Sequence, residues 1–120
     1  MSQIVEFKNA MPNPYNPSVK DVPPDEVLEL KKDLLIIDVR GKDEYHGELG
    51  HIPGSQLMTL GGLPNELNTL PKNKAIVFIC RSGARSAQAS EFAVSQGYTE
   101  VYNMKGGMML WNQIGLETDK

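Results

Sequence analysis

The fold of this chain is decided by one stretch, Ala75-Ile76-Val77-Phe78-Ile79-Cys80-Arg81-Ser82-Gly83-Ala84-Arg85-Ser86. Its first five residues are apolar and three of them are β-branched, which predicts a short strand buried on both faces. A polar loop follows, and residues 86–96 have the apolar spacing of a helix, with Gly97 placed to end it. A strand, a tight loop and a helix N-terminus together predict an anion site, because backbone N–H groups converge there.

Cys80 is the only cysteine of the chain, and it stands at the carboxyl end of the predicted strand. A lone cysteine beside an apolar run is commonly a small core residue. Packing does not account for the two arginines in the loop, whereas positive charges beside a thiol favour the thiolate. We therefore predict that Cys80 is the catalytic nucleophile. The residues predicted to bind an anionic substrate are those of the loop: Arg81, Ser82, Gly83, Ala84 and Arg85.

Composition limits the classes of function. The chain has 120 residues, 40% of them hydrophobic, which suits one domain with one core. A formal net charge of −3 argues against nucleic-acid or anionic-membrane partners. A single cysteine excludes an internal disulfide and a multi-cysteine zinc site, so neither a metal nor a cofactor is predicted. The N-terminal residues have no apolar signal region, and a cytoplasmic location is predicted.

The rest of the chain alternates strand and helix patterns. Residues 1–17 include three prolines and predict an irregular arm, in which a short strand near residues 4–7 is one option. Residues 18–120 are predicted to form the domain. Its predicted strands are residues 18–22 (as an edge strand), 34–39, 56–58, 75–79 and 100–102. Its predicted helices are residues 23–31, 86–96 and 108–114. Residues 41–45 are predicted to be a turn and a short helix, and residues 61–67 a loop that enters a short helix. This alternation predicts an α/β fold with a mainly parallel sheet, in which ligands bind at the carboxyl ends of strands.

Four segments together resemble the single-domain rhodanese family of sulfurtransferases. They are Leu35-Ile36-Ile37-Asp38-Val39-Arg40 with Glu44-Tyr45 just after it, Gly50-His51-Ile52-Pro53-Gly54-Ser55, the loop from Cys80 to Ser86, and the run from Gly97-Tyr98 through Asn103, Gly106-Gly107 and Trp111 to Leu116. Their order and spacing are more specific than any one of them. Two departures concern local loop shape: the connection from Tyr45 to Gly50 is longer than in the commonest family form, and Ser55 stands where alanine is usual.

The resemblance implies a five-stranded central sheet flanked by helices and a loop that holds a sulfur atom. It implies that the Cys80 thiolate attacks the outer sulfur of thiosulfate, or of a related donor such as polysulfide, and that sulfite leaves. The Cys80 persulfide then passes its sulfur to cyanide, a small thiol or a protein thiol. The partners implied are thus a small anionic sulfur donor and a thiophilic acceptor.

Two other functions use a similar loop. Cysteine phosphatases and arsenate reductases also hold a thiolate at a helix N-terminus, but only four residues separate Cys80 from Arg85, one fewer than phosphatase loops contain. Ile79 also stands where a phosphatase has a histidine. The other alternative is a persulfide carrier or partner-binding module, which uses the same chemistry with a different acceptor.

Several further residues have structural interpretations. Asp38 and Arg40 are predicted to be a structural pair at a strand end, and His51 a hydrogen-bonded structural residue. Ser86 is predicted to cap the helix or to donate a hydrogen bond near the sulfur.

Overall fold

A computed structural model describes residues 5–120 of the chain. The strands among these residues are β1 Met11–Pro12, β2 Lys20–Val22, β3 Leu34–Asp38, β4 Gln56–Leu57, β5 Ala75–Ile79 and β6 Val101–Met104. The α-helices are α1 Pro24–Leu30, α2 Lys42–Tyr45, α3 Leu63–Glu66, α4 Ala84–Ser95 and α5 Gly107–Gln113. Two 3-10 turns, Lys31–Asp33 and Leu67–Thr69, follow α1 and α3.

The described strands form one sheet in the order β1-β2-β6-β5-β3-β4. Strands β2 to β6 pair in parallel, which confirms the predicted α/β fold with a mainly parallel sheet. The sheet has six strands rather than the predicted five, because β1 pairs antiparallel with β2 and lies outside it. The prediction of β2 as an edge strand was therefore wrong: a two-residue strand that includes a proline has no recognisable sequence pattern.

Strand β5 is buried on both faces, as predicted, and all five of its residues are inaccessible to solvent. Alternate side chains enter different cores because successive residues of a strand point to opposite faces. Phe78 and Cys80 pack with Ala89 of α4 on one face. Val77 packs with Trp111 of α5 on the other. The nucleophile predicted from the sequence is thus part of the core beneath α4.

The segment before β2 is held by the Asn13 side chain. Its Oδ1 accepts hydrogen bonds from the backbone N–H groups of Tyr15 and Asn16, at 2.9 and 3.1 Å. The Asn13 N–H donates to the Val19 carbonyl at 2.8 Å, which closes the turn between β1 and β2. Residues 5–7 are not a strand, and Ile4 lies outside the described residues. A domain boundary at residue 18 stays a prediction.

No helix among residues 5–120 is both long and apolar enough to cross a bilayer.

The first turn of α5 lies directly against the loop after β5. The backbone N–H of Met108 donates to the Cys80 carbonyl at 2.9 Å, and that of Met109 donates to the Arg81 carbonyl at 3.0 Å. The chain reaches the loop at Gly107, whose φ is +57°. A Cβ at Gly107 would lie 2.4 Å from the Arg81 oxygen, which is closer than packed atoms approach. Glycine is required here both for its φ and for this close approach.

We expect Gly107→Ala to destabilise the fold by at least about 3 kcal/mol, because the loop backbone must move in addition to the strain at positive φ. Gly115→Ala is the matched control, since Gly115 has φ +80° but open space where a Cβ would lie. It should lose only about 1–2 kcal/mol. Denaturant unfolding of both variants measures the difference. Equal losses would show that the contact with the loop is unimportant.

Candidate active site

The Cys80 side chain lies where β5 ends and α4 begins, and 1% of the residue is exposed. Its Sγ accepts a hydrogen bond from the Gly83 backbone N–H at 3.0 Å and lies 3.3 Å from Ser86 Oγ. Gly83 has φ +107° and is the N-cap of α4, which begins at Ala84 rather than at the predicted residue 86. The left-handed turn at Gly83 directs its N–H towards the sulfur, so the loop can stabilise a negatively charged sulfur.

The Asp38–Arg40 ion pair stabilises the carboxyl end of β3, the strand next to β5. Arg40 Nη2 lies 2.8 Å from Asp38 Oδ2, and both side chains are 1% exposed. The same Nη2 donates to the Gly50 carbonyl at 2.7 Å, which ties the end of β3 to the loop before His51. These contacts confirm the predicted structural pair. Because Asp38 is paired with Ile79 in the sheet, this ion pair lies beside the start of the Cys80 loop.

His51 is also structural. Its ring stacks on Tyr45 with centroids 3.7 Å apart, and its Nδ1 is 2.8 Å from the Tyr45 carbonyl. The Tyr45 hydroxyl donates to the Ser55 carbonyl at 2.7 Å. This cluster holds the connection from α2 to β4 and confirms the interpretation of His51.

Arg85 forms a bidentate ion pair with Glu44 of α2. Its two terminal nitrogens lie 2.7 and 2.8 Å from the carboxylate oxygens. The hydrogen bond from Arg85 lowers the pKa of Glu44 from 4.5 to about 2, and the carboxylate in turn raises the pKa of Arg85. The pair therefore persists at neutral pH, and Arg85, which we predicted to bind a substrate anion, has a carboxylate partner already.

Arg81 is exposed, and within residues 5–120 its side chain makes neither a hydrogen bond nor an ion pair. It borders a cavity of about 330 Å³ that is shared with the carboxylates of Asp43, Glu44 and Glu48. On the other side of the loop, a larger groove of about 810 Å³ runs between Ser82 and the exposed side chain of Met109. The loop is thus reachable from two sides with different chemistry.

Sequence reasoning missed two buried polar residues behind the loop, Asn103 of β6 and Asp21 of β2. Asn103 Nδ2 donates to Asp21 Oδ1 at 2.9 Å and to the Gly83 carbonyl at 3.3 Å. Asn103 Oδ1 is hydrogen-bonded to the Ser86 hydroxyl. Asparagine and aspartate are depleted in strands, so the presence of Asp21 in the predicted strand 18–22 was an available signal, whereas Asn103 lay just after the predicted strand 100–102. Ser86 does lie near the sulfur, as predicted.

Comparison with known proteins identifies the family of the chain. The sequence profile of the rhodanese-like domain family matches residues 23–114, and the chain belongs to that family. A protein of Allochromatium vinosum named sulfurtransferase is 36% identical over 85 residues, covering 71% of this chain and 78% of that protein. The thiosulfate sulfurtransferase GlpE of Pseudoalteromonas translucida is 33% identical over 88 residues, covering 72% and 82%.

Solved structures place the fold in the same family. A rhodanese-related protein from Thermoplasma volcanium superposes with a TM-score of 0.74 at 28% identity, over 81% of this chain and 94% of that one. A rhodanese-like domain protein from Staphylococcus aureus has a TM-score of 0.71 at 30% identity, over 83% and 98%. The fold and the family are therefore established independently of the site's chemistry.

The Glu44–Arg85 pair makes a pH-dependent contribution to stability. We expect Glu44→Gln to lower the free energy of unfolding by less than about 1 kcal/mol at neutral pH, because the pair is partly exposed. Since folding lowers the pKa of Glu44, the contribution is complete above about 4.5 and is lost as the pH falls through about 2. Denaturant unfolding at several pH values should show wild type and variant converging in acid.

Glu48→Gln is the matched control, because Glu48 is exposed and makes no ion pair within residues 5–120. Its stability should follow that of wild type throughout. A Glu44→Gln variant as stable as wild type at neutral pH would contradict a stabilising role for the pair.

Proposed function

We propose that the protein is a sulfurtransferase that moves a sulfane sulfur from thiosulfate to a thiophilic acceptor through a persulfide on Cys80. The observation that supports this most is the Gly83 N–H, which donates to Cys80 Sγ at 3.0 Å. Such a donor stabilises a sulfur anion at the end of a strand without a general base. The thiolate attacks the outer sulfur of thiosulfate, a new S–S bond forms, the S–S bond of thiosulfate breaks, and sulfite leaves with the electron pair.

Donor binding is assigned to Arg81 and the loop Ser82–Gly83–Ala84. Among the described residues, 5–120, no carboxylate is paired with Arg81, so we assign its five N–H donors to a thiosulfate oxygen. Arg85, whose charge is paired with Glu44, then contributes through the loop shape that this pair maintains. Polysulfide, also a short anionic sulfur chain, fits the same assignment.

Discharge of the persulfide requires a second molecule. The chain has one cysteine, so it has no resolving thiol of its own. The outer sulfur of a persulfide extends about 2 Å beyond Sγ. The outer sulfur would thus lie further than Sγ from the buried core and nearer to the surface of the loop. We propose that cyanide, small thiols and protein thiols attack this sulfur and release Cys80 as a thiolate. A persulfide carrier would transfer its outer sulfur to a partner protein by the same step. We place this activity in the cytoplasm, where such thiols are reduced.

Loading of Cys80 can be tested by intact mass after exposure to thiosulfate. Wild type should gain the mass of one sulfur atom, and the gain should disappear on addition of cyanide. Cys80→Ser should neither gain sulfur nor transfer it to cyanide. The matched control is C80S/S95C, which places a thiol at an exposed position near the other end of α4. A thiol there should not load. Sulfur transfer by Cys80→Ser, or phosphate-ester hydrolysis without sulfur loading, would refute the proposal.

The role of Arg81 can be tested by kinetics with thiosulfate. Arg81→Ala removes a charge-assisted contact worth roughly 1.5–3 kcal/mol, so kcat/KM should fall about tenfold to a hundredfold. Lys32→Ala is the matched control, because Lys32 is exposed just before β3, at the opposite end of that strand from the site. It makes the same change in net charge and should leave kcat/KM unchanged. Wild-type kinetics in Arg81→Ala would show that Arg81 does not bind the donor.

A further inference from the structure

The groove on the far side of the Cys80 loop from Arg81 has no role in sulfur transfer as described so far. Its volume is about 810 Å³, α4 and α5 form its walls, and the buried residues Asp21 and Asn103 lie at its base. In a parallel sheet, ligands bind in such a crevice at the carboxyl ends of strands. The groove is also lined by the loop residues 82–84, so a molecule bound in it contacts the loop around the sulfur. Thiosulfate and cyanide do not need so large a site, which has the size of those for larger ligands.

One edge of the groove is the turn after β1, which carries the 96% exposed Tyr15. The backbone N–H of Tyr15 donates to Asn13 Oδ1 at 2.9 Å, and the amide of the buried Asn13 donates to Asp21 at 3.1 Å. The Asn16 amide donates to Glu91 of α4. The turn is therefore fixed both to the sheet and to α4. Binding to a residue on such a preorganised turn costs little entropy, and tyrosine is enriched among the residues that contribute most to protein interfaces.

The opposite wall and the charges of the groove indicate what it binds. Met109 of α5 lines it and is 48% exposed, so an apolar side chain is available there. The charged residues of the lining are Asp21, Glu91 and Lys105. Each of the two carboxylates accepts a hydrogen bond from an asparagine amide of the turn after β1. Within residues 5–120 the exposed Lys105 makes no ion pair, so its ammonium group is available to a carboxylate of a bound molecule. The groove thus suits an apolar segment that carries an acid.

We infer that this groove binds a segment of an acceptor protein in which apolar side chains and one acidic side chain stand next to a cysteine. The inference rests on the proposed function, since the cysteine of the segment accepts the sulfur. Its thiol loses a proton to water, and the thiolate attacks the outer sulfur of the Cys80 persulfide. A new S–S bond forms to the acceptor, the bond from the outer sulfur to Sγ breaks, and Sγ leaves with the electron pair as a thiolate. Thiosulfate is assigned to Arg81, on the other side of the loop, so the donor and the acceptor segment bind to different parts of the site.

The apolar contacts can be tested by sulfur transfer from thiosulfate to capped synthetic peptides. One peptide has leucines on both sides of a single cysteine and a glutamate beyond them, and the other has serines in place of the leucines. Wild type should have the lower KM for the leucine peptide. Tyr15→Ser and Met109→Ser should each raise that KM about tenfold with little change in kcat, and Tyr15→Ser should leave transfer to cyanide unchanged. Ile114→Ser is the matched control, because Ile114 is 47% exposed and lies outside the groove lining.

The charge contact can be tested by reversal. Lys105→Glu should raise the KM for the glutamate-containing leucine peptide about threefold, because an exposed ion pair is lost and a repulsion replaces it. The same variant should lower the KM for a leucine peptide that carries lysine in place of the glutamate. Lys32→Glu makes the same change in net charge at the opposite end of β3 from the site, and should leave both values as in wild type.

Several results would overturn the inference. An unchanged KM for the leucine peptide in Tyr15→Ser and Met109→Ser would show that the groove does not bind it, and transfer to cyanide by the same samples would leave the proposed function intact. An equal rise in the KM for glutathione in Tyr15→Ser would make the groove a site for small thiols. A wild-type dimer in sedimentation that Tyr15→Ser dissociates would mean that a second copy occupies the groove. Failure of wild type to load sulfur from thiosulfate would overturn both proposals.

Discussion

The hydrogen bond to Cys80 Sγ depends on the directions of the peptide groups in the loop. The carbonyls of Cys80 and Arg81 are directed outwards, where the N–H groups of Met108 and Met109 at the start of α5 satisfy them. The Gly83 N–H is thereby left to turn inwards onto the sulfur. Buried peptide groups must all be paired, so outward carbonyls require a partner element. The helix that follows β6 supplies it, and Gly107 allows the backbones to approach closely enough.

Electrostatics at the site is more balanced than the basic loop suggests. Arg85 is bound by Glu44, and Arg81 stands near Asp43, Glu44 and Glu48. Under the proposed function, attraction of the donor anion comes from one exposed guanidinium and from the backbone dipoles of the loop, rather than from a broad positive surface. Such a site would favour a donor whose negative charge lies at the right position over a donor that only carries more negative charge. This arrangement is consistent with a chain whose formal net charge is −3.

Much of the fold could be read from local patterns. The apolar run of β5, the polar loop after it and the helix α4 are contiguous, so each is visible in a window of a few residues. The same holds for β3 and for the Asp38–Arg40 pair, whose partners are two residues apart. Strand β1 was missed, because Met11–Pro12 has no strand pattern and is paired with β2 across the turn around Asn13.

The sequence by itself determined the parallel α/β class, the buried strand that ends at Cys80 and the loop after it, because burial periodicity and turn chemistry act over a few residues. Only the tertiary structure decided which groups surround the sulfur. Glu44 and Arg85 are 41 residues apart, and Asp21 and Asn103 are 82 apart. These pairs meet because the sheet order places β2 beside β6, and because α2 follows β3, the other neighbour of β5. A single side-chain pair contributes only about 1 kcal/mol. It produces no repeating pattern in the sequence, so it cannot be predicted from one.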